Sequence, residues 1–332
     1  MSIKIPTRFT RRSTVGLGLL LVGSITAACS NSTAESTSSS DSPAAVHSDE
    51  MAMGVGPPPL WADGTQAVPT RHKGPQGQTG QFVAKCLYSH SDTVDPIVFP
   101  GSSTLSHRHD FYGATGIVGT STAASLIDTQ TTCNKPGDSA AYWQPTVLVD
   151  EKPITPLYAQ AYYRAAPGID PKSVKPFPLG LMLIAGDALA STPQTGEAAA
   201  WTCGVQTKLS HEVPDCGQGA PLHLVLTFPD CWDGANLDSP GHRDHATYSR
   251  DSACPKSHPI SIPQLTVSVN FGLSGPLPTL RLASGNQFST HGDFLNSWNE
   301  SALEREVLAC IHRDAVCDLA SNREEDGPFF TN

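Results

Sequence analysis

Short apolar runs recur along the chain from about residue 81 onward, and each run is bounded by Pro, Gly or Asp. Runs of this length that are rich in β-branched and aromatic residues are typical of strands, and Pro and Gly at their ends mark turns. We therefore predict strands over six segments: Phe82–Tyr88, Pro145–Val149, Leu157–Tyr163, Gly180–Ala185, Leu222–Phe228 and Leu265–Phe271.

Helical spacing of apolar residues is convincing in one segment, Ser301–Cys317. Ser301 and Glu304 have the spacing of a capping box, which marks a helix start. A second helix is predicted at Thr122–Asp128. Together these elements predict a mostly β fold, with a single disulfide-tied β-sandwich or jelly-roll-like domain that has long loops and a C-terminal helix.

The first 28 residues have the order of an export signal: a basic start, the apolar run Val15–Val22, and small residues before Cys29. The apolar run is too short to cross a bilayer. Arg11-Arg12 resembles a twin-arginine signal, and general secretion is the alternative. Cys29 follows two alanines, where a bacterial lipoprotein carries its lipid. We expect a protein anchored by lipid to the outer face of the cell membrane, or released; ordinary cleavage nearby, with Cys29 incidental, is the other interpretation.

Composition divides the rest of the chain into three parts. Residues 29–77 are rich in Ser, Thr and Pro, and we predict a disordered tether there. Residues 78–325 form the predicted domain, and residues 326–332 form a tail.

Charge and composition exclude two classes of protein. The formal net charge of the 332 residues is −10, whereas a nucleic-acid binder needs a basic face. The 28 glycines and 28 prolines are incompatible with a coiled coil. We expect a monomer that meets the membrane only through its lipid.

Eight cysteines follow Cys29, and none of them forms a Cys-x-x-Cys pair. In an exported protein such cysteines are expected to form disulfides. Eight cysteines allow about 105 pairings, so sequence alone does not fix the connectivity. Proximity along the chain suggests the following pairs: Cys203–Cys216, Cys231–Cys254 and Cys310–Cys317, which leaves Cys86–Cys133.

Histidines and carboxylates concentrate in three segments: Ser106–Phe111, Asp230–His245 and Thr290–Phe294. On a strand, the period of two places His107 and His109 on one face, where they can share a metal ion. The candidate ligands of a divalent metal are His107, His109, His242 and His245. The candidate catalytic residues, acting as general base or orienting group, are Asp230, Asp233, Asp293 and His291. Each segment also has a structural interpretation: core histidines, a solvated Asp-rich turn and a helix lead-in.

The order of these segments resembles the domain of unknown function 1996 family, which comprises exported proteins of actinobacteria and filamentous fungi. The stretches that carry the resemblance include Phe82–Cys86, Ser106–Gly113, Trp143–Pro145, Phe228–Gly234 and His291–Phe294. The resemblance implies one intact domain and marks the His/Asp segments as shared motifs. It implies neither a metal nor a substrate.

Export, acidity and clustered imidazoles favour a surface protein that acts on, or binds, extracellular polysaccharide through a His/Asp site. As an enzyme, it would be a metal-dependent hydrolase or lyase, or a metal-free one with a His/Asp acid–base pair. One alternative is a non-catalytic cell-wall or carbohydrate-binding lipoprotein, with Trp143, Trp201 and Trp232 as stacking platforms for sugars. Another is a surface protein that sequesters metal.

Overall fold

A computed structural model describes residues 80–135, 137–196, 198–204, 208–314 and 317. The predicted export signal over residues 1–28, Cys29, the tether over 29–77 and the tail over 326–332 all lie outside the described residues. None of the helices that the described residues form has the length and apolar character needed to cross a membrane.

Strands dominate the described part of the chain. In chain order they are β1 (Gln81–Asp92), β2 (His109–Gly113), β3 (Ala141–Pro145), β4 (Val147–Val149), β5 (Lys152–Pro153), β6 (Tyr158–Arg164), β7 (Met182–Gly186), β8 (Ala199–Cys203), β9 (Leu222–Thr227), β10 (Cys231–Trp232), β11 (Ala246–Thr247), β12 (Ile260–Ser261), β13 (Gln264–Asn270), β14 (Arg281–Leu282) and β15 (His291–Leu295). The helical segments are α1 (Ala123–Leu126), the 3₁₀ turn Pro171–Ser173, and α2 (Glu300–Glu306), which continues into the π-helical turn Val307–Ile311.

Each of the six predicted strand segments contains a strand, which confirms those predictions. The six predicted segments do not include β2, β8, β15 or the two-residue strands β5, β10, β11, β12 and β14, and they include only Pro145 of β3. The segment of β15 begins with His291 and includes Gly292 and Asp293, so it lacks the apolar run on which the predictions rested.

The predicted C-terminal helix is present, but its start differs from the prediction. The helix begins at Glu300, and the side chain of Asn299 accepts a hydrogen bond from the backbone N–H of Ala302. Ser301 therefore lies inside the first turn, because Asn is as good an N-cap as Ser and stands two residues earlier. The short helix predicted at Thr122–Asp128 is α1, which Thr122 caps.

Nine strands form one antiparallel sheet in the order β7-β15-β3-β2-β1-β6-β13-β9-β8. The long strand β1 joins the two halves of this sheet, because the first part of β1 pairs with β6 and its last part pairs with β2. The sheet curls until its two ends approach each other. A Cβ added to Gly186 on the edge strand β7 would lie 3.0 Å from Cβ of Ala199 on the other edge strand, β8. The mostly β prediction is confirmed, with the strands arranged as a nearly closed, barrel-like sheet.

Large apolar side chains fill the interior of the curled sheet. Phe82, Tyr163 and Trp298 contact one another there, with the Phe82 and Tyr163 rings stacked at 4.5 Å between centroids. Across the interior, a Cβ on Gly292 of β15 would lie 2.3 Å from Cδ1 of Leu226 on β9. Packing this close explains why the interior strand positions are buried and leave no room for a larger residue at position 292.

A second, smaller core covers the outer face of β2, β3, β15 and β7. Val94, Ile97 and Leu126 from the segment between β1 and β3 pack there against Phe111 and Trp143. These four strands are thus buried on both faces, so a polar side chain that points outward from them does not reach bulk water. The candidate site lies under this cover.

Four disulfides tie the loops to the sheet, and they join the pairs that proximity along the chain suggested: Cys86–Cys133, Cys203–Cys216, Cys231–Cys254 and Cys310–Cys317. Such bonds persist in oxidising compartments, so they indicate an exported protein. Each stabilises a domain by roughly 2–4 kcal/mol, mainly by restricting the unfolded chain.

One buried carboxyl group in the interior makes stability depend on pH. Asp138 is fully buried, and the hydroxyl of Tyr142 donates to its carboxylate oxygens at 2.9 and 3.1 Å. The same hydroxyl contacts that of Tyr163. Burial raises the pKa of Asp138 to about 7, so the folded protein keeps a proton that the unfolded chain loses at about pH 4.

We predict that the Asp138→Asn variant changes the pH dependence of stability. The contribution of Asp138 is fully present below about pH 4 and is lost as the pH rises toward 7, because ionisation is disfavoured in the folded state. The stability of the wild type relative to D138N should therefore fall between pH 4 and pH 7 in urea unfolding. The exposed D215N is the matched control, and a difference between wild type and D138N that is constant with pH would contradict the prediction.

Candidate functional site

Three histidines from distant parts of the chain meet on the outer face of the sheet. His109 begins β2 and His291 begins β15, with β3 between the two strands. Phe111 of β2 and Asp293 of β15 both lie opposite Trp143 of β3. Since side chains alternate with a period of two, His109 and His291, each two residues earlier, point to the same face.

His107 completes the group from the turn just before β2. Its Nε2 lies 3.1 Å from Nε2 of His291, and its ring centroid lies 4.2 Å from that of His109. One ring nitrogen from each of the three histidines lies within 4.8 Å of the other two. His109 and His291 are buried, whereas His107 is partly exposed and gives the group a side open to solvent.

Backbone carbonyl groups fix two of the three rings. Nδ1 of His109 donates to the carbonyl oxygen of Val94 at 2.9 Å, and Nδ1 of His291 donates to that of Ser289 at 2.8 Å. A carbonyl oxygen can only accept, so the proton of each neutral ring is on Nδ1 and the lone pair is on Nε2. Nε2 of His109 is buried and has no hydrogen-bond partner among the described residues.

All three histidines are neutral at physiological pH. Burial lowers the pKa of His107 to about 4 and that of His291 to about 3, and it lowers the pKa of His109 well below the usual value. Uncharged imidazoles are poor partners for an anion but are the ligand form that a metal ion requires.

Two buried carboxyl groups lie beside His109. Each of the residues Asp95, His109 and Asp293 has one potential ligand atom, and these three atoms lie within 4.8 Å of one another. Asp95 accepts the backbone N–H groups of Ile97 and Val98 at 3.0 and 2.9 Å, while Oδ2 of Asp293 is buried with no partner in the described structure. Burial raises the pKa of both groups, that of Asp293 well above its usual value.

This arrangement has the features of a transition-metal site. Ligand atoms about 2.0–2.1 Å from a tetrahedral ion are spaced by roughly 3.3 Å, close to the contact between His107 and His291. The donation of each Nδ1 to a backbone carbonyl is the supporting interaction that metal-bound histidines usually have. His107, His109 and His291 are the residues that could hold a metal, with Asp95 and Asp293 as neighbouring carboxyl groups.

The family model described as "Domain of unknown function (DUF1996)" matches residues 95–298, and this range includes the three histidines and both carboxyl groups. The chain belongs to the DUF1996 family. No curated protein and no solved structure matches it. The membership places the site inside the DUF1996 domain but assigns it no activity.

The structure brings four of the eight predicted site residues together in the DUF1996 site: His107, His109, His291 and Asp293. Of these, His291 was expected in a catalytic role and lies among the candidate ligands. Asp95 belongs to the site although it was not among the predicted residues. In both His107-x-His109 and His291-x-Asp293, two site residues stand two positions apart. This shared spacing is the sequence signal that connects the two segments.

The remaining predicted residues lie in the loop from Asp230 to His245, and they have other contacts. The Asp233 carboxylate accepts the backbone N–H groups of Ala235 and Asn236 in an exposed turn. Asp230 is buried and accepts the N–H of Ser249. Nδ1 of His242 bonds to the Asp238 carboxylate at 3.0 Å.

Two other groups of potential ligands include cysteines: Cys86, Cys133 and Asp138, and Cys231, Cys254 and Asp230. The sulfur atoms of both groups are used in disulfides, so they do not compete for a metal. Trp143 and Trp201 are only 2% and 1% exposed. Burial excludes both as stacking platforms for sugars.

We predict a structural role for His245. Its Nε2 donates to the carbonyl of Met182 at 2.6 Å, and Nδ1 lies 3.0 Å from the Ser239 hydroxyl. His245→Ala should lower the free energy of unfolding by about 1–3 kcal/mol, because it leaves the partly buried carbonyl of Met182 without its donor. The exposed His211→Ala is the control. The measurement is urea unfolding together with metal content, and a loss of metal without a loss of stability in H245A would overturn this assignment.

Proposed function

We propose that this DUF1996 protein is an exported metalloprotein that uses the site of His107, His109 and His291 for hydrolytic or lytic chemistry on extracellular polysaccharide. One observation carries the proposal. Three neutral imidazoles converge with a buried Nε2 of His109 that has no hydrogen-bond partner in the described structure. A buried polar atom without a partner is costly, and a metal ion would satisfy it.

The donor set favours a divalent transition metal such as zinc, copper, iron or manganese, since imidazole and carboxylate suit all of these. A bound metal supplies Lewis-acid chemistry and lowers the pKa of bound water. Three protein ligands leave a coordination position free, which is the arrangement of catalytic and not of structural zinc sites. The partial exposure of His107 would let water or a substrate reach the three histidines.

The residues around the three histidines supply the proton chemistry of the proposed reaction. Asp293 is held protonated by burial and lies beside His109, so it can donate a hydrogen bond or a proton. Asp95 is held in place by two backbone N–H groups, and it serves as an orienting carboxyl group.

Polysaccharide is the proposed substrate class because the disulfides indicate a protein that works outside the cytoplasm, where glycans are the abundant polymer. A cavity of about 220 Å³ is lined by Ile184, whose strand partner is Asp293. It therefore lies next to the site.

Metal content is the first test of this proposal. The mature protein, exported with its disulfides formed and purified without chelator or affinity tag, should contain about one equivalent of metal. The H107A/H109A double variant and H291A should lose it, because each removes ligands, while H211A should keep it. An absence of metal in the wild type, even after incubation with zinc, copper, iron and manganese, would contradict the metal site.

Activity is tested on the metal-loaded protein with a panel of neutral and acidic polysaccharides. A hydrolase increases the number of reducing ends, and a lyase also produces an unsaturated sugar that absorbs in the ultraviolet. The chelated protein and H291A are the controls. Retardation in an affinity gel without product would instead support the non-catalytic binding alternative.

We also propose that the export signal ends in a lipid on Cys29, so that the protein is held as a monomer at the outer face of the cell membrane. The support is the sequence alone, in which two alanines precede Cys29 and a Ser/Thr-rich stretch follows it. We predict that wild type partitions into the detergent phase of a cloud-point extraction and that Cys29→Ser appears in the culture medium. Equal partitioning of the two, with unmodified Cys29 by mass spectrometry, would refute the anchor.

A further inference from the structure

We propose that Arg243 forms an anion-binding subsite beside the three histidines, and that the glycan this protein acts on carries carboxylate, sulfate or phosphate groups. This inference rests on the proposed function for its glycan and extends it to a substrate class. It is carried by the anchoring of the Arg243 guanidinium next to His291 and by the cavity that the same residue lines.

The backbone anchors Arg243 at the edge of the site. Its Nη2 donates to the carbonyl oxygen of Gly186 at 2.7 Å, and Gly186 lies directly opposite His291 in the pairing of β7 with β15. Residues opposite each other on antiparallel strands are neighbours, with Cα atoms about 4.5–5.5 Å apart. The guanidinium is therefore held at the β7 edge of the sheet, beside the strand that pairs with the strand of His291.

The Arg243 guanidinium has donors to spare. Among the described residues its only hydrogen bond is the one to Gly186, and it forms no ion pair. The carboxylate of Asp187, the residue after Gly186, accepts the backbone N–H of Leu189 at 2.9 Å and forms no ion pair with Arg243. A guanidinium presents five N–H donors in a planar fork that matches a carboxylate, sulfate or phosphate group.

The cavity of about 220 Å³ places this fork against a surface that suits a sugar ring. Arg243 lines it together with Ile184, Thr247 and Tyr248. Pockets for drug-sized ligands measure roughly 300–1,000 Å³, so this one fits a single sugar residue. An arginine with free donors in such a cavity can bind the charged substituent of a sugar ring.

The charge of the rest of the molecule makes this position unusual. The chain carries a formal net charge of −10, which repels polyanions from most of its surface. An anionic glycan is thus attracted to this position by a single unpaired arginine and not by a general basic surface.

The test compares Arg243→Gln with Arg250→Gln, which removes an exposed arginine that does not line the cavity. The probes are oligosaccharides of polygalacturonate, sulfated dextran and neutral dextran, and binding is measured by calorimetry with the full mature protein. Wild type and R250Q should bind an acidic probe, and R243Q should bind it at least roughly tenfold more weakly, as expected for the loss of a charged hydrogen-bonded pair. R243K, which keeps the charge but not the fork, should be intermediate.

The outcome also separates this inference from the proposed function. Preference for polygalacturonate over sulfated dextran identifies a carboxylate, and the reverse identifies an ester anion. Loss of binding in R243Q with unchanged metal content supports the subsite, and it does so even if the wild type binds no metal, in which case only the proposed function fails. The inference is overturned if R243Q and R250Q bind the acidic probe equally well. It is also overturned if wild type binds neutral dextran more strongly than sulfated dextran.

Discussion

The burial of both faces of β2, β3 and β15 is the constraint on which the site depends. One face packs into the interior of the curled sheet, and Val94, Ile97 and Leu126 cover the other. Side chains that point outward from these strands are therefore removed from water. Removal from water disfavours the charged form of any titratable group, and this single effect keeps the histidines neutral and raises the pKa of Asp95 and Asp293. The chemistry of the site is thus set by its cover as much as by its own residues.

The strands that could be predicted from sequence are those that fill the interior, because continuous apolar runs are their signature. Leu222–Thr227 and Gln264–Asn270 lie within a few residues of the predicted bounds. The strand His291–Leu295 could not be found in this way. Its outward positions carry site residues, and its inward positions include Gly292, which must be small because Leu226 reaches it across the interior. Polar side chains on the outward face and close packing on the inward face together explain why this strand lacks an apolar pattern.

His107 and His109 are close together because they are two residues apart along the chain. His291 joins them only because of the order in which the strands pair. His107 and His291 are separated by 184 positions along the chain. They meet only because β3 pairs with both β2 and β15, and nothing in a single sequence states which strands become neighbours. For the same reason, composition could not show which residues of the loop from Asp230 to His245 reach the site. Arg243 lies at the edge of the site, whereas the Asp233 and His242 side chains form hydrogen bonds within the loop, to partners two to four residues away.

The three imidazoles of the site are uncharged, and this has a consequence for the ligands that the site takes. Neutral imidazoles neither attract an anion nor provide a balancing charge for one. One positive charge that interacts with His291 is that of Arg243, held by the carbonyl of Gly186. Gly186 itself is confined to glycine, because its φ is +74° and a Cβ would lie 2.3 Å from the carbonyl oxygen of Thr290. A cation among the imidazoles and an anion at the exposed Arg243 would attract each other. Linkage then requires that each raise the affinity for the other by the same factor.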